Sequence, residues 1–242
     1  MSMVQVISIA VDPLASARLM QACLPPLEHQ RASTFRHEDD RARYVLGRSV
    51  LRLLLGSALG LAPQQVPIAY AARGKPALPA TLGAPHFNVS HSGAWVMIAL
   101  AATPVGIDVE QHRLIDHAAL STHIFGAAER RQIAQAADPV AAFFRYWVVK
   151  EAWLKAAGLG LADMPTLSDM SGLDPDSPTL TGWARIQCDP ALPAKWVARL
   201  QPGQGYCAAV CVDTPAVPPP LQQSVWSPDD LQRALDERIK HD

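Results

Sequence analysis

A chain of 242 residues, of which 49% are apolar and 18% charged, can bury a sizeable core; this excludes a disordered protein and indicates one large domain or two small ones. Its net charge of −1 argues against a general nucleic-acid binder. No apolar run reaches the roughly 18 residues that a membrane helix needs. We therefore expect neither nucleic acid nor a membrane as a partner.

The first residues and the cysteines indicate the compartment. Residues 4–11 alternate as a strand does and lack the basic start of a signal peptide. The cysteines at positions 23, 188, 207 and 211 have neither metal-site nor CxxC spacing. We expect small buried thiols in a reduced, cytoplasmic protein.

Apolar spacing and capping residues predict the elements of the first half. A short helix is predicted over residues 14–24, and a long helix runs from Glu38 to a stop at Gly60. Strand-like runs follow at residues 86–89, 95–101 and 105–110. Because only short turns separate these runs, we predict an antiparallel meander.

The second half is predicted to begin with helices and to continue with strands. The helices cover residues 127–136 and 139–157. The predicted strands cover residues 181–188, 196–200 and 207–212. A proline-rich linker over residues 215–220 then leads to a terminal helix that Ser227 caps.

Charge is divided unevenly along the chain. Residues 1–104 carry nine Lys or Arg and five Asp or Glu, whereas residues 105–242 carry twelve and seventeen. A basic half joined to an acidic half suits a polyphosphate held with a metal ion, although ordinary scatter of surface charge gives the same division. We predict an N-terminal α+β half (1–104), a C-terminal α+β half (105–214) and a terminal linker with a helix (215–242).

Two carboxylates share one face of the strand predicted at 105–110. Side chains alternate along a strand, so Ile107 and Val109 point one way while Asp108 and Glu110 point the other. Neighbouring carboxylates repel each other, and a divalent cation relieves the repulsion. A solvent-exposed strand face has the same pattern, so the pair by itself leaves both interpretations open.

The helix predicted at 139–157 carries charges among large apolar side chains. Glu151 and Lys155 share an arc of this helix with Trp147, and Lys150 lies beside Glu151. Charges on an apolar face are costly unless they are paired or functional. A plain ion pair between Glu151 and Lys155 is the alternative.

These two segments together form a distinctive pattern. The sequence VGID at 105–108 precedes WVVKEAWLK at 147–155, and 43 residues separate Asp108 from Glu151. The pattern resembles the signature of the 4′-phosphopantetheinyl transferase superfamily. Further matches, RYVLG at 43–47, GKP at 74–76 and FNVSHS at 87–92, narrow the resemblance to the larger, surfactin-synthetase-activating type. FGAAE at 125–129 resembles the stretch that supplies a third acid in that type.

The resemblance implies a fold, a cofactor and a substrate. The implied fold is α+β, with two similar halves in a pseudo-twofold arrangement, each a small antiparallel sheet with helices, and coenzyme A in the cleft between them. The implied ligands of Mg²⁺ are Asp108, Glu110, Glu129 and, in part of the family, Glu151. The implied ligands of the coenzyme A phosphates are Arg43, Lys75, Ser90, His91, Lys150 and Lys155, in the basic half and on the long second-half helix.

The resemblance also implies catalytic roles. Glu151 is either the base that deprotonates the acceptor serine or a metal ligand. Lys150 is a competing base, and Lys155 would stabilise developing negative charge.

The implied reaction moves 4′-phosphopantetheine from coenzyme A to a serine of an apo acyl, peptidyl or polyketide carrier protein and releases adenosine 3′,5′-bisphosphate. We expect a monomer that contacts its acidic carrier through arginines of the long helix, such as Arg48 or Arg52. A magnesium-dependent phosphodiesterase or pyrophosphatase acting on coenzyme A-like nucleotides is an alternative, and a non-catalytic binding module is another.

Overall fold

The computed structural model describes residues 3–70, 75–83, 85–160, 162, 170, 172–179, 182–187, 193–218 and 220–239. Gly74 of the GKP match, Cys188 and both ends of the strand predicted at 181–188 lie outside the described residues. The helices are α1 (Pro13–Cys23), α2 (Pro26–Ser33), α3 (Glu38–Leu59), α4 (His117–Ile124), α5 (Ala127–Gln135), α6 (Pro139–Ala157) and α7 (Pro228–Ile239). The strands are β1 (Val4–Ala10), β2 (Ala69–Tyr70), β3 (Pro76–Ala77), β4 (His86–Ser92), β5 (Trp95–Ala101), β6 (Val105–Gln111), β7 (Ala184–Ile186), β8 (Lys195–Leu200), β9 (Tyr206–Val212) and β10 (Leu221–Trp226).

The first half is built on a four-stranded sheet in the order β10-β1-β5-β4. Strand β5 is antiparallel to β1 and β4, whereas β10 is parallel to β1. Helices α1, α3 and α7 cover this sheet, and apolar side chains such as Leu46, Ile98 and Leu231 form a core between them. Cys23 lies in this core as a buried free thiol, and burial raises its pKa to about 12.

The second half is built on an antiparallel sheet in the order β6-β9-β8-β7. Helix α6 packs on it, and Phe144, Val148 and Trp153 contribute to a second core. The helix starts at Asp138, whose side chain accepts a hydrogen bond from the Ala141 N–H. Two small sheets with packed helices confirm the α+β class, although only the second sheet is wholly antiparallel because β10 joins the first in parallel. Within the described residues, a helix with the length and apolar character of a membrane span is absent.

The two sheets pack against each other through their inner faces. Val6 and Met97 from the first sheet meet Ile107 and Val210 from the second in a third apolar cluster. The molecule is therefore layered as helices, sheet, sheet and helices. The chain passes from the first sheet to the second between β5 and β6.

Most predicted elements are confirmed, but the meander is wrong at its third strand. Strands β4 and β5 pair as expected, whereas β6 pairs with β9 in the other sheet. The α2 and α4 helices were not predicted, because each spans only eight residues and lacks a sustained apolar period. The long helices α3 and α6 have the predicted ends, with Gly60 and Gly158 in the left-handed conformation.

The C-terminal segment returns to the first half. Helix α7 follows Ser227, whose hydroxyl accepts a hydrogen bond from the Asp230 N–H, as the predicted cap requires. The strand β10 before it was not predicted, because its sequence LQQSVW is largely polar. Leu231 and Leu235 of α7 are buried in the first core, so the segment belongs to the first half in space.

The expectation that Arg48 and Arg52 face a carrier protein is wrong. Both guanidinium groups are buried, at 7% and 4% exposure, around the buried carboxylate of Glu28. Arg48 Nη2 lies 2.7 Å from Glu28 Oε1, and Arg52 Nε lies 2.7 Å from Oε2. Arg52 also donates to the carbonyl oxygens of Pro63 and Val66. The arginines tie α3 to α2 and to the segment that follows α3.

We expect the substitution Glu28→Ala to lower the free energy of unfolding by about 3–5 kcal/mol, because it leaves two buried guanidinium groups without their counter-charge. The control Arg41→Ala breaks an exposed pair with Glu38 and should change stability by less than about 1 kcal/mol. Urea denaturation followed by tryptophan fluorescence measures both values. Equal losses in the two variants would contradict the assignment.

Candidate active site

Strand β6 presents two carboxylates beside helix α6. Ile107 and Val109 are 0% and 1% exposed in the core between the sheets. Asp108 and Glu110 therefore lie on the other face of the strand, with Asp108 buried and Glu110 half-buried. The alternation predicted from the sequence is confirmed, and the buried position of Asp108 excludes an ordinary solvent-exposed strand face.

Gly106 sets the distance between β6 and α6. A Cβ atom at this position would lie 2.1 Å from the carbonyl oxygen of Ala152 and 2.5 Å from the amide nitrogen of Ala156. Only a residue without a side chain allows the helix to approach this closely. The close approach brings Glu151 and Lys155, one turn apart on α6, to the carboxylates of β6.

The Lys155 ammonium lies among oxygen acceptors at this contact. Its Nζ is 2.6 Å from Asp108 Oδ1, 3.2 Å from the Ile107 carbonyl oxygen and 3.3 Å from Ser90 Oγ. The other carboxylate oxygen of Asp108, Oδ2, is buried and accepts no hydrogen bond from the described residues. Asp108 therefore keeps one oxygen available for a ligand.

Glu151 is poised to exchange a proton near neutral pH. Burial raises its pKa to about 7; the Lys155 ammonium opposes this rise, and the carboxylates of Asp108 and Glu110 add to it. Its Oε1 is buried and has no hydrogen-bond partner in the described part of the chain. Burial also raises the pKa of Asp108, against the effect of Lys155. A carboxyl group titrating near pH 7 has the property that a general base needs.

Strand β4 joins β6 through side chains instead of backbone groups. Three alternate side chains of β4 accept hydrogen bonds from three alternate backbone N–H groups of β6. The bonds, which we call the β4–β6 seam, run from Ile107 N to Asn88 Oδ1 (2.8 Å), Val109 N to Ser90 Oγ (3.4 Å) and Gln111 N to Ser92 Oγ (3.1 Å). The seam connects the two sheets where the carboxylates lie.

The hydroxyl groups of the seam also bind the carboxylates. Ser90 Oγ donates to Asp108 Oδ1 at 2.9 Å, and Ser92 Oγ donates to Glu110 Oε2 at 2.9 Å. Arg113 Nη1 donates to the same Glu110 oxygen at 2.9 Å. Each of these hydroxyl groups therefore holds its carboxylate through one oxygen.

Lys75 crosses from the first half to the second. Its Nζ donates to the carbonyl oxygens of Val105 (3.3 Å) and Lys155. The second acceptor belongs to the last turn of α6, where the negative end of the helix dipole favours a cation. Burial and the Lys155 ammonium lower the pKa of Lys75. Two of the three lysines predicted as phosphate ligands, Lys75 and Lys155, thus lie next to each other at one end of the site.

Arg43 and His91 lie near the turn between β4 and β5. Arg43 donates to the carbonyl oxygen of Gly93 at 2.8 Å and pairs with Asp40 at 2.6 Å. Partial desolvation and the Arg43 guanidinium lower the pKa of His91. Arg43 and His91, two of the four predicted phosphate ligands of the first half, are therefore neighbours.

A cavity of about 220 Å³ lies between α3 and β4. Tyr44, Tyr70, Asn88 and His91 line it, and Tyr70 is 61% exposed. The buried Tyr44 hydroxyl has no hydrogen-bond partner among the described residues. Aromatic faces with an amide, an imidazole and an unpaired hydroxyl suit a planar heterocycle that carries polar groups.

Glu129 and Lys150 require a correction, because they form a separate buried ion pair. Lys150 Nζ lies 2.8 Å from Glu129 Oε2, and the side chains are 1% and 0% exposed. The Gly126 N–H also donates to Oε2, and the Met170 N–H donates to Oε1 at 2.7 Å. The amine donates further to the carbonyl oxygen of Ile124. The structure thus brings Glu129 to Lys150 instead of to Asp108, and it shields both groups from a ligand in the cleft.

The remaining carboxylates fit a shared magnesium ion. The described residues contain no preformed group of three or more His, Cys, Asp or Glu side chains that could hold a metal ion. Asp108 and Glu151 nevertheless each have one buried carboxylate oxygen that has no hydrogen-bond partner among the described residues. Mg²⁺ is usually bound by one or two carboxylates, and water and substrate phosphates complete its octahedron. The donor set therefore suits an ion that arrives with a phosphate ligand.

Three residues of this site were not assigned from the sequence. Asn88 and Ser92 lie in the FNVSHS match, but only Ser90 and His91 received roles there. The signal that could have found them is the alternation of polar residues at 88, 90 and 92, which matches the alternation along β6. Arg113, three residues after Glu110, gave no such signal.

Two family models match the chain. The model described as "4′-phosphopantetheinyl transferase superfamily" matches residues 104–211. The model described as "4′-phosphopantetheinyl transferase, N-terminal" matches residues 13–103. The two matches meet where the chain passes from the first sheet to the second.

Known proteins resemble the chain over both halves. It is 34% identical over 208 residues to the 4′-phosphopantetheinyl transferase HetI of Nostoc sp., covering 83% of each chain. It is 28% identical over 197 residues to the 4′-phosphopantetheinyl transferase Sfp of Bacillus subtilis, covering 81% of this chain and 84% of the relative. It is 29% identical over 222 residues to a phosphopantetheinyl transferase of Thraustochytrium sp., covering 82% of this chain and 73% of that one.

We expect Gly106→Ala to lower the free energy of unfolding by about 3 kcal/mol, because the added methyl group clashes with backbone atoms of α6 that cannot rotate away. The control Gly160→Ala adds a methyl group that meets no atom of the described residues within 4 Å, and it should leave stability within about 0.5 kcal/mol. Thermal and urea unfolding measure both. A stable Gly106→Ala protein would disprove the close contact.

We expect Glu151→Gln to stabilise the protein at pH 8 by about 1–2 kcal/mol, a value discounted for partial solvent exposure. The folded pKa of about 7 lies above the ordinary glutamate pKa of 4.5, so the favourable contribution of the protonated group is complete below pH 4.5 and is lost as the pH rises through 7. Wild type and variant should therefore have equal stability near pH 4 and diverge above it. Urea titrations across this range test the sign, with the exposed Glu38→Gln as control.

Proposed function

The chain belongs to the 4′-phosphopantetheinyl transferase superfamily, and we propose that it transfers the 4′-phosphopantetheine group of coenzyme A to a serine of an apo carrier protein, with Mg²⁺ as cofactor and adenosine 3′,5′-bisphosphate as the second product. The observation that carries the proposal is the convergence of Asp108, Glu151 and Lys155 at the contact between β6 and α6, where buried carboxylate oxygens without partners among the described residues lie beside a cation. A group-transfer site for pyrophosphate needs both features.

Magnesium is supported by the chemistry of the available oxygens. Asp108 and Glu110 would hold the ion together with phosphate oxygens, and Glu151 is close enough to both carboxylates for its pKa to be raised by them. The bound ion would supply positive charge against the pyrophosphate of the substrate. Glu129 is left out of this set because Lys150 and two backbone amides occupy its oxygens.

Glu151 is the candidate base in the proposed reaction. Its Oε1 accepts the hydroxyl proton of the carrier serine while the serine oxygen bonds to the phosphorus that carries pantetheine. The bond from that phosphorus to the bridging oxygen breaks, and adenosine 3′,5′-bisphosphate leaves with the electron pair. A pKa of about 7 supports this role, because the group is largely able to accept a proton at cellular pH.

The lysines and the α3–β4 cavity support binding of the nucleotide. Lys155 is positioned to stabilise negative charge that develops on the departing phosphate, and Lys75 lies beside it. The cavity that contains Tyr44 and His91 would receive the adenosine end, with Arg43 adjacent. This arrangement spans both halves, as expected for a ligand in the cleft between them.

We expect an apo acyl carrier protein to gain the mass of one phosphopantetheine group when it is incubated with this protein, coenzyme A and MgCl₂. Intact-mass spectrometry measures the gain. Chelation by EDTA should abolish it, and Asp108→Ala should slow it by at least about 100-fold, because a lost charge in the reacting centre removes several kcal/mol of transition-state stabilisation. Arg41→Ala, on an exposed surface pair, is the matched control and should retain the wild-type rate.

Different outcomes separate this reaction from its alternatives. Coenzyme A consumption without modification of acyl, peptidyl or polyketide carriers would overturn transfer in favour of a phosphodiesterase. Coenzyme A binding without consumption would favour a binding module. Unchanged transfer in EDTA would overturn the metal assignment alone.

A further inference from the structure

We infer that Ser92 is a positioning residue that holds the carboxylate of Glu110 for the metal ion, an inference that rests on the proposed magnesium site. Ser92 lies at the end of β4 in the first sheet, whereas Glu110 lies near the end of β6 in the second. The Ser92 hydroxyl donates to Glu110 Oε2 at 2.9 Å and is half-buried. The bond therefore couples the metal carboxylate to the opposite half of the molecule.

The β4–β6 seam determines the orientation of the O–H bond of Ser92. A serine hydroxyl has one proton to donate and two lone pairs to accept with. The Gln111 N–H donates to Ser92 Oγ at 3.1 Å, so one lone pair of the oxygen faces the β6 backbone. The proton is then directed to the Glu110 carboxylate, which it holds through Oε2. Among the described residues, Oε1 of Glu110 has no hydrogen-bond partner, so this oxygen stays available to a cation.

The same arrangement of hydrogen bonds is found two residues earlier on both strands, at Ser90 and Asp108. Ser90 accepts a hydrogen bond from the Val109 N–H and donates to Asp108 Oδ1, while Asp108 Oδ2 remains without a partner. Because β4 and β6 both have a period of two residues, one register serves both carboxylates. The repetition indicates that Ser92 performs for Glu110 what Ser90 performs for Asp108.

Arg113 does not replace Ser92 in this role. Its side chain is 55% exposed, and it reaches Glu110 from the same chain segment, three residues away. Solvent-exposed pairs of this kind restrain a carboxylate weakly. Ser92 lies in a different sheet, and the Glu110 side chain that it binds is only 19% exposed. A free glutamate side chain loses rotamer freedom when it binds a cation. The bond from Ser92 restrains Glu110 beforehand and so reduces this entropic cost.

Mn²⁺ binding to the full-length protein with saturating coenzyme A, measured by electron paramagnetic resonance titration and compared with coenzyme A alone, tests the inference. We expect Ser92→Ala to weaken Mn²⁺ binding by about tenfold, the usual effect of removing a group that orients a metal ligand. Ser92→Thr keeps the hydroxyl and should restore binding to within about twofold of wild type, with the added methyl group tolerated on a strand. Ser16→Ala is the matched control, since it removes a buried hydroxyl group that donates only to the backbone carbonyl oxygens of Asp12 and Ala42 and touches no carboxylate.

A transfer assay adds a second readout. In Ser92→Ala, the Mg²⁺ concentration for half-maximal rate should rise about tenfold, and the rate at saturating Mg²⁺ should stay within about threefold of wild type, as expected for a residue that acts through a metal ligand. Ser16→Ala should leave the Mg²⁺ requirement unchanged. Urea denaturation of all variants establishes that each is folded.

Either of two results would overturn the inference while the proposed function stands. The first is wild-type Mn²⁺ affinity in Ser92→Ala, and the second is equal weakening in Ser92→Ala and Ser16→Ala, which would make the effect one of overall stability. A wild-type protein that binds no Mn²⁺ and transfers in EDTA would instead overturn the metal assignment, and the inference with it.

Discussion

The β4–β6 seam is the constraint on which the site depends. Strand β6 uses one edge for a backbone ladder with β9, and its other edge would present N–H groups to the cleft. Side chains from β4 satisfy three of these groups, so a boundary between two sheets is bonded without a continuous backbone ladder. A slip of one residue would break every seam bond at once, because alternate side chains of a strand point to opposite faces. One register therefore fixes the alignment of the halves and the direction of both carboxylates.

Buried charges of two kinds occur among the described residues. Glu129 with Lys150, and Glu28 with its arginines, have partners on nearly every donor and acceptor, so their charges are compensated inside the protein. Asp108 and Glu151 instead keep buried oxygens that have no partner in the described part of the chain. Leaving a buried acceptor unpaired destabilises a fold, and such defects are retained where a ligand supplies the missing partner. The desolvation that destabilises Glu151 in the folded chain is also what moves its pKa towards neutrality.

Sequence periodicity predicted which side chains share a face of a strand or helix better than it predicted which strands pair with each other. The alternation at 105–110 placed Asp108 and Glu110 correctly, and capping signals gave the ends of α3 and α6. The pairing of β6 with β9 was not predictable, because an edge that is satisfied by serine and asparagine side chains has no signature in the sequence of β6 itself. Glu129 illustrates a second limit. The stretch that contains Glu129 resembles the family sequence, but this resemblance does not determine what the carboxylate binds. Its oxygens accept hydrogen bonds from Lys150 and from the Met170 N–H, which are distant along the chain.

The parallel pairing of β1 with β10 has a consequence for how the chain assembles during synthesis. All strands of the second sheet come from one continuous segment of the chain, residues 105–212. The first sheet instead pairs β1 with β10, which lie more than 200 residues apart in the sequence. Contacts between such distant segments form slowly, because a long loop must close before they contribute. On the ribosome, residues 105–212 emerge before β10, so the second half can become ordered while one edge of β1 is still unpaired. A nascent chain at this stage exposes the unpaired backbone N–H and C=O groups of a strand edge, which is the kind of surface that chaperones shield from aggregation.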